Sequence, residues 1–128
     1  MPATRITTRQ GWIGTRKRAF LEAVQRALVT GLRIPPDDRC IALVEQDADA
    51  FLLPEGAGET FSLIEIVLIT GRSLEAKRRL YAAMVEELAP FGLGPDEVRV
   101  ILIESPAENW GLRGRPASEI DLGFAIDV

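Results

Sequence analysis

Lys17-Arg18-Ala19-Phe20-Leu21-Glu22-Ala23-Val24-Gln25-Arg26-Ala27-Leu28 and, sixty positions on, Lys77-Arg78-Arg79-Leu80-Tyr81-Ala82-Ala83-Met84-Val85-Glu86-Glu87-Leu88 are two versions of one amphipathic segment. In the first, Ala19, Phe20, Ala23, Val24, Ala27 and Leu28 recur at three- and four-residue steps. Lys17, Arg18, Glu22, Gln25 and Arg26 fill the opposite face, so a half-buried helix is expected between Thr15 and Leu32. In the second, Leu80, Ala83, Met84 and Leu88 form the stripe; Ser73 with Glu75 offers an N-cap, and Pro90 and Gly92 stop the helix. At the offset of 60, Lys17 matches Lys77, Arg18 matches Arg78, Phe20 matches Leu80, Ala23 matches Ala83 and Leu28 matches Leu88.

The flanks repeat as well. Extended runs precede each helix, Ala3–Arg9 and Ser62–Thr70. After the first helix, Ile34-Pro35-Pro36-Asp37-Asp38-Arg39 leads into a strand at Cys40–Glu45; after the second, Leu93-Gly94-Pro95-Asp96-Glu97 leads into Val98–Glu104. Each half reads strand–helix–strand, and a crossover helix makes its two strands parallel. The expected fold is of the α/β (α+β) class: tandem β-α-β units forming a four-stranded mixed sheet with two helices on one face. The halves are about 2–46 and 61–105, followed by a tail 106–128, in a single domain 1–128. The linker Asp47–Thr60 is rich in Ala, Gly and acids and reads as a loop with a short extended piece at Phe51–Leu53. Ile64, Ile66, Leu68, Val100 and Leu102 exceed what two helices can cover, which predicts an apolar open face that seeks a partner.

A chain of 128 residues is long enough to bury one core. Nineteen acids against fifteen bases give a net charge of −4, the wrong sign for a nucleic-acid partner. A small anion is still accessible, because one buried arginine can hold a carboxylate whatever the net charge. The lone cysteine, Cys40, permits no internal disulfide and points to a reducing cytoplasm. With no histidine there is no Cys/His zinc site, and neither metal nor cofactor is expected. The longest apolar stretch, around Ile66–Ile69, is too short to span a bilayer, and there is no secretory start.

Pro2 stands directly behind Met1, and a small second residue usually lets the initiator be trimmed, leaving a free secondary amine. An α-amino group has an unperturbed pKa of about 7.7–8.0, so that amine would titrate near neutrality as no side chain of this histidine-free sequence does. Read alone, the dipeptide also fits a merely stiff terminus. Arg72 falls between an extended run and a helix start, where a guanidinium fork and free backbone N–H groups can meet a carboxylate, or where an arginine simply caps a turn. Asp38 follows two prolines and is either rigidly presented or an ordinary turn aspartate, as Asp37 is read to be. Trp110, in a glycine-rich tail, is a pocket wall or a packing anchor.

Met1-Pro2, the turn 34–39, Gly71-Arg72-Ser73 with Glu75 and Lys77, and Glu108-Asn109-Trp110-Gly111-Leu112 through Arg115 together resemble the tautomerase superfamily. Its members include 4-oxalocrotonate tautomerase, macrophage migration inhibitory factor and malonate semialdehyde decarboxylase, and the chain is most similar to the last group. The resemblance implies a homotrimer with active sites near the subunit contacts and an amino-terminal proline in each. It implies Pro2 as acid/base, Asp38 as the matching carboxylate and Arg72 as the carboxylate-binding cation; Trp110 is read as substrate-binding, with a packing anchor or trimer contact as the alternative. The implied substrate is a small anionic keto or enol acid. The decarboxylase pattern has a second arginine two positions before the one matching Arg72; here that place is Thr70 or a gap. A neutral Pro2 supports keto–enol tautomerisation, and a cationic one supports loss of CO₂ or addition of water. Asp38 favours the cationic form, and Arg72 opposes it. A non-catalytic trimeric binding scaffold is the competing reading.

Overall fold

The computed structural model describes residues 2–128; Met1, and with it the expected removal of that residue, lies outside them. Strand β1 (Ala3–Arg9) alternates, burying Thr4, Ile6 and Thr8 while its odd-numbered residues face the other way. A 3-10 turn at Gly14–Arg16 leads into helix α1 (Lys17–Leu32), and the chain returns as β2 (Ile41–Gln46). The second unit repeats this order as β3 (Ser62–Ile69), α2 (Leu74–Leu88) and β4 (Val98–Ser105). Ser73 caps α2 as expected, its hydroxyl accepting from Ala76 N at 3.1 Å, and Gly92 ends the segment with φ of 96°. The tail carries a small hairpin, β5 (Gly111–Leu112) and β6 (Arg115–Pro116).

The sheet order is β2-β1-β3-β4. Strands β1 and β2 are parallel, as are β3 and β4, while the central pair β1 and β3 runs antiparallel with Ile6 opposite Ile64. This is the mixed four-stranded sheet read from the sequence, with both helices on one face. The helices lie antiparallel: Arg26 meets Glu87 at 2.9 Å, and Gly31 lies against the backbone of Leu80. Beneath them Phe20, Leu28, Leu32, Leu80, Met84 and Leu88 pack on Ile6, Ile64, Ile66 and Leu68. The Phe20 ring meets Trp12 and Phe91 edge-on at 5.5 and 5.3 Å, closing the core at one end. No helix among the described residues is long and apolar enough to cross a membrane.

Two expectations need correction. Ile64, Ile66, Leu68, Val100 and Leu102 do not form the open face; the first three are fully buried under the helices, and Val100 and Leu102 pack against the same core. The open face carries Leu63, Val67, Ile101 and Ile103 between Arg5, Arg9, Glu65 and Arg99. Strands β3 and β4 are apolar on both sides, so a one-residue change of parity exchanges the faces. Gln25 is not on the solvent side of α1 but buried, at 6% exposure. The linker is a loop as read from the sequence, with a 3-10 turn at Ala48–Ala50 before the extended Phe51.

Candidate active site

The topology gathers the candidate residues at one end of the sheet. Pro2 directly precedes β1, and Asp38 lies just before the parallel β2, so both sit at the strand starts. Because β3 runs against β1, its far end comes to the same place, carrying Arg72 in the turn into α2. The end of β4, with Glu104, lies there too. Pro2 is buried; its neighbour Ala3 pairs with Val67, and Thr4 N donates to Cys40 O at 2.9 Å. Beside this end, on the open side, is a cleft of about 660 Å³ lined by Ala3, Arg5, Arg39, Cys40, Glu65 and Val67 among others.

Asp38 is held by its turn. Its N–H donates to Pro35 O at 3.0 Å, and the buried Gln25 side chain donates from Nε2 to Asp38 O at 3.0 Å and to Pro36 O at 3.3 Å. The amide of α1 therefore fixes the backbone from which the carboxylate projects. Sequence reasoning missed this role. Gln25 sits on the edge of the apolar stripe beside Val24 and Leu28, and only that edge position hinted at burial.

Arg72 is 6% exposed. Its Nη1 donates back to Ile69 O at 3.2 Å, whereas Nε and Nη2 are buried and find no acceptor among the described residues. Burial pushes the guanidinium pKa below the usual arginine value, and the charges of Asp38 and then Glu104 push the other way. Two such N–H-bearing nitrogens of one buried guanidinium can pair with a planar anion that reaches them. The tail closes over this turn. Gly71 has φ of +146°, and a Cβ there would stand 2.9 Å from Ile126 Cγ2, while Ser73 Oγ donates to Val128 O at 2.7 Å.

Glu104 was not singled out in the sequence, although a carboxylate on the covered parity of β4, after Val98, Val100 and Leu102, was a usable signal. It pairs with Lys77 of α2. Trp110 leaves the same end of the sheet, yet its backbone is tied to the tail, its N–H donating to Ala107 O at 3.1 Å and its carbonyl accepting from Ala117 N at 2.8 Å. Its indole Nε1 is buried without an acceptor among the described residues. Pro2, Asp38 and Arg72 are thus brought together, and no side-chain hydrogen bond among the described residues ties Trp110 to them.

A family model described as "Tautomerase enzyme" matches residues 48–113, more than half the chain. The probable tautomerase RSp0893 of Ralstonia nicotianae is 42% identical over 57 residues, which are 44% of this chain and 81% of that protein. Among solved structures, the FG41 malonate semialdehyde decarboxylase inhibited by 3-bromopropiolate superposes with a TM-score of 0.68 at 32% identity, over 84% of this chain and 86% of that one. A fused 4-OT crystallised as a symmetric trimer gives 0.78 at 28% identity, over 91% and 96%. With the tandem β-α-β sheet and the family match on the second unit in agreement, this chain belongs to the tautomerase family and is an enzyme of the tautomerase superfamily.

Proposed function

We propose that the enzyme, with Met1 removed, uses the Pro2 amine to carry a proton between carbon and oxygen of a small keto or enol carboxylic acid. In this reading Arg72 grips the substrate carboxylate, Asp38 sets the charge beside the amine, and Trp110 walls the pocket. The observation that carries it is the Arg72 fork: a guanidinium buried with two nitrogens unpartnered, at the same sheet end as Pro2 and Asp38. A buried charge left unpaired costs free energy that an incoming carboxylate returns as charge-assisted hydrogen bonds. The protein acts as a homotrimer in the cytoplasm, its open sheet face turned to its neighbours; the trimeric fused 4-OT supports that assembly.

Asp38 favours a second reaction on the same scaffold. A carboxylate beside the amine stabilises the cation, which can polarise a carbonyl so that the bond to a departing carboxylate breaks, or so that water adds. The likeness to a malonate semialdehyde decarboxylase supports this alternative.

Intact-mass measurement comes first, since retained Met1 removes the free amine and with it the mechanism. On the processed protein, Pro2→Ala and Arg72→Ala should each depress turnover of phenylenolpyruvate while the oligomer persists. Unchanged turnover in both overturns the reading. Titration of the Pro2 amine then separates the two reactions: a pKa well above neutrality selects the decarboxylase or hydratase.

A further inference from the structure

Arg72 keeps its fork open although two carboxylates stand near enough to act on its charge. A buried guanidinium beside a carboxylate normally closes on it in a two-pronged pair. Here Nε and Nη2 find no acceptor among the described residues, and Glu104 is engaged by Lys77. Register places Glu104 opposite Leu68 on the helix-covered side of β4, one residue from the Ile69 carbonyl that Arg72 Nη1 contacts. Lys77, in the first turn and a half of α2, reaches down to it, and the two side chains are partly exposed, at 26% and 29%.

We propose that Lys77 is a positioning residue: by holding the Glu104 carboxylate it prevents an internal Arg72–Glu104 pair and so reserves the guanidinium fork for the substrate's carboxylate. This rests on the reading of Arg72 as the carboxylate-binding group. The molecule supplies its own control. In the first unit Lys17, sixty positions before Lys77, reaches Glu45 at 3.4 Å, and Glu45 lies opposite Thr8 as Glu104 lies opposite Leu68, sixty positions on. Sixty positions before Arg72, however, stands Trp12, whose Nε1 donates to Thr8 Oγ1 at 3.0 Å. The same lysine–glutamate strut thus braces the fold in one half and, in the other, also faces an arginine.

The test compares Lys77→Met, Glu104→Gln, the double variant and Lys17→Met in the full processed chain. It measures KM and kcat for phenylenolpyruvate separately, with melting temperature and oligomer size alongside. Lys77→Met should raise KM about tenfold with kcat within about twofold, because a freed Glu104 competes with ground-state substrate binding. Glu104→Gln should change KM little, and the double variant should bring KM back to within about threefold of the parent, since no competing charge is left. Lys17→Met should leave KM unaltered. An unchanged KM in Lys77→Met overturns the proposal. So does a double variant without rescue, which would mean that Lys77 touches substrate or merely braces the fold. If Lys77→Met does not fold, Lys77→Gln is read by the same criteria. Arg72→Ala is the separating arm: if it leaves both constants unchanged, the reading of Arg72 fails, not that of the strut alone.

Discussion

At the scale of single residues, Arg72 decides most. Its pKa is lowered in the fold, so the folded chain would release this proton before the unfolded one does, and stability from that source rises only on the far alkaline side. Across the neutral range the guanidinium stays a cation, and its desolvation is a constant cost. On the proposed mechanism, an inflection of activity near neutrality then belongs to the Pro2 amine. A neighbouring cation lowers an amine's pKa, so Arg72→Ala should move that inflection upward as well as raising KM, which a pH–rate profile reads directly. Arg72→Lys keeps the charge but not the fork; it should hold the inflection near its original position and still raise KM by about tenfold. Gln25 offers a second residue-scale test. Gln25→Leu keeps the volume but strips the donors from Pro36 O and Asp38 O, so stability should fall by about 1–2 kcal/mol in a denaturant titration. Turnover should drop several-fold while KM moves less, because Asp38 loses its register and Arg72 does not. An unaltered kcat would mean that the Pro35–Asp38 turn holds itself.

Among the elements, the crossing of α1 and α2 is the tightest contact. A Cβ on Gly31 would stand 2.5 Å from both Cα and Cβ of Leu80, and backbone cannot step aside as a flexible side chain can. Two effects compete in Gly31→Ala. Helix propensity favours alanine by about 1 kcal/mol, whereas overpacking a closed interface costs about 1–3 kcal/mol and often more. The clash should win, giving a net loss visible as a lower melting temperature; a gain in stability would show that the helices can part without cost. The helices themselves were readable from the sequence because stripes such as Phe20, Ala23, Val24, Ala27 and Leu28 carry a period that strands cannot imitate. The faces of β3 and β4 were not, since Glu65 is the only charged residue in β3 that marks which side is open. Pro2, Asp38 and Arg72 could be put forward as candidates because they stand in short, ordered motifs. The contacts of Gln25 and the pairing of Lys77 with Glu104 could not be read there. They act on a carbonyl 13 residues away and on a carboxylate in another element, contacts that only the folded topology creates.

On the scale of the whole molecule, the asymmetry of the sheet governs behaviour. One face is sealed by two helices, and the other leaves Ile101 and Ile103 exposed at 44% and 43%, beside Leu63 and Val67. Arg5, Glu65 and Arg99 flank this strip, so it is a surface with both apolar area and fixed charge rather than a core cut open. The cleft lined by Arg5, Arg39, Glu65 and Val67 borders both this face and the Pro2 end. A neighbouring chain seated on the face would therefore also reach that cleft, beside the Pro2 end. Ile101→Glu separates assembly from activity. In an isolated chain a charge at a position already 44% exposed should change stability by less than about 0.5 kcal/mol. Buried in a contact between copies, the same carboxylate would be desolvated without a partner, at a cost of several kcal/mol per subunit. Ile101→Glu should then fold as the parent does, sediment as a smaller species and lose turnover in proportion to the loss of assembly. If it sediments as the parent does, the subunits meet elsewhere and the open face is not their contact. If it dissociates yet keeps full turnover, one chain carries the whole site by itself.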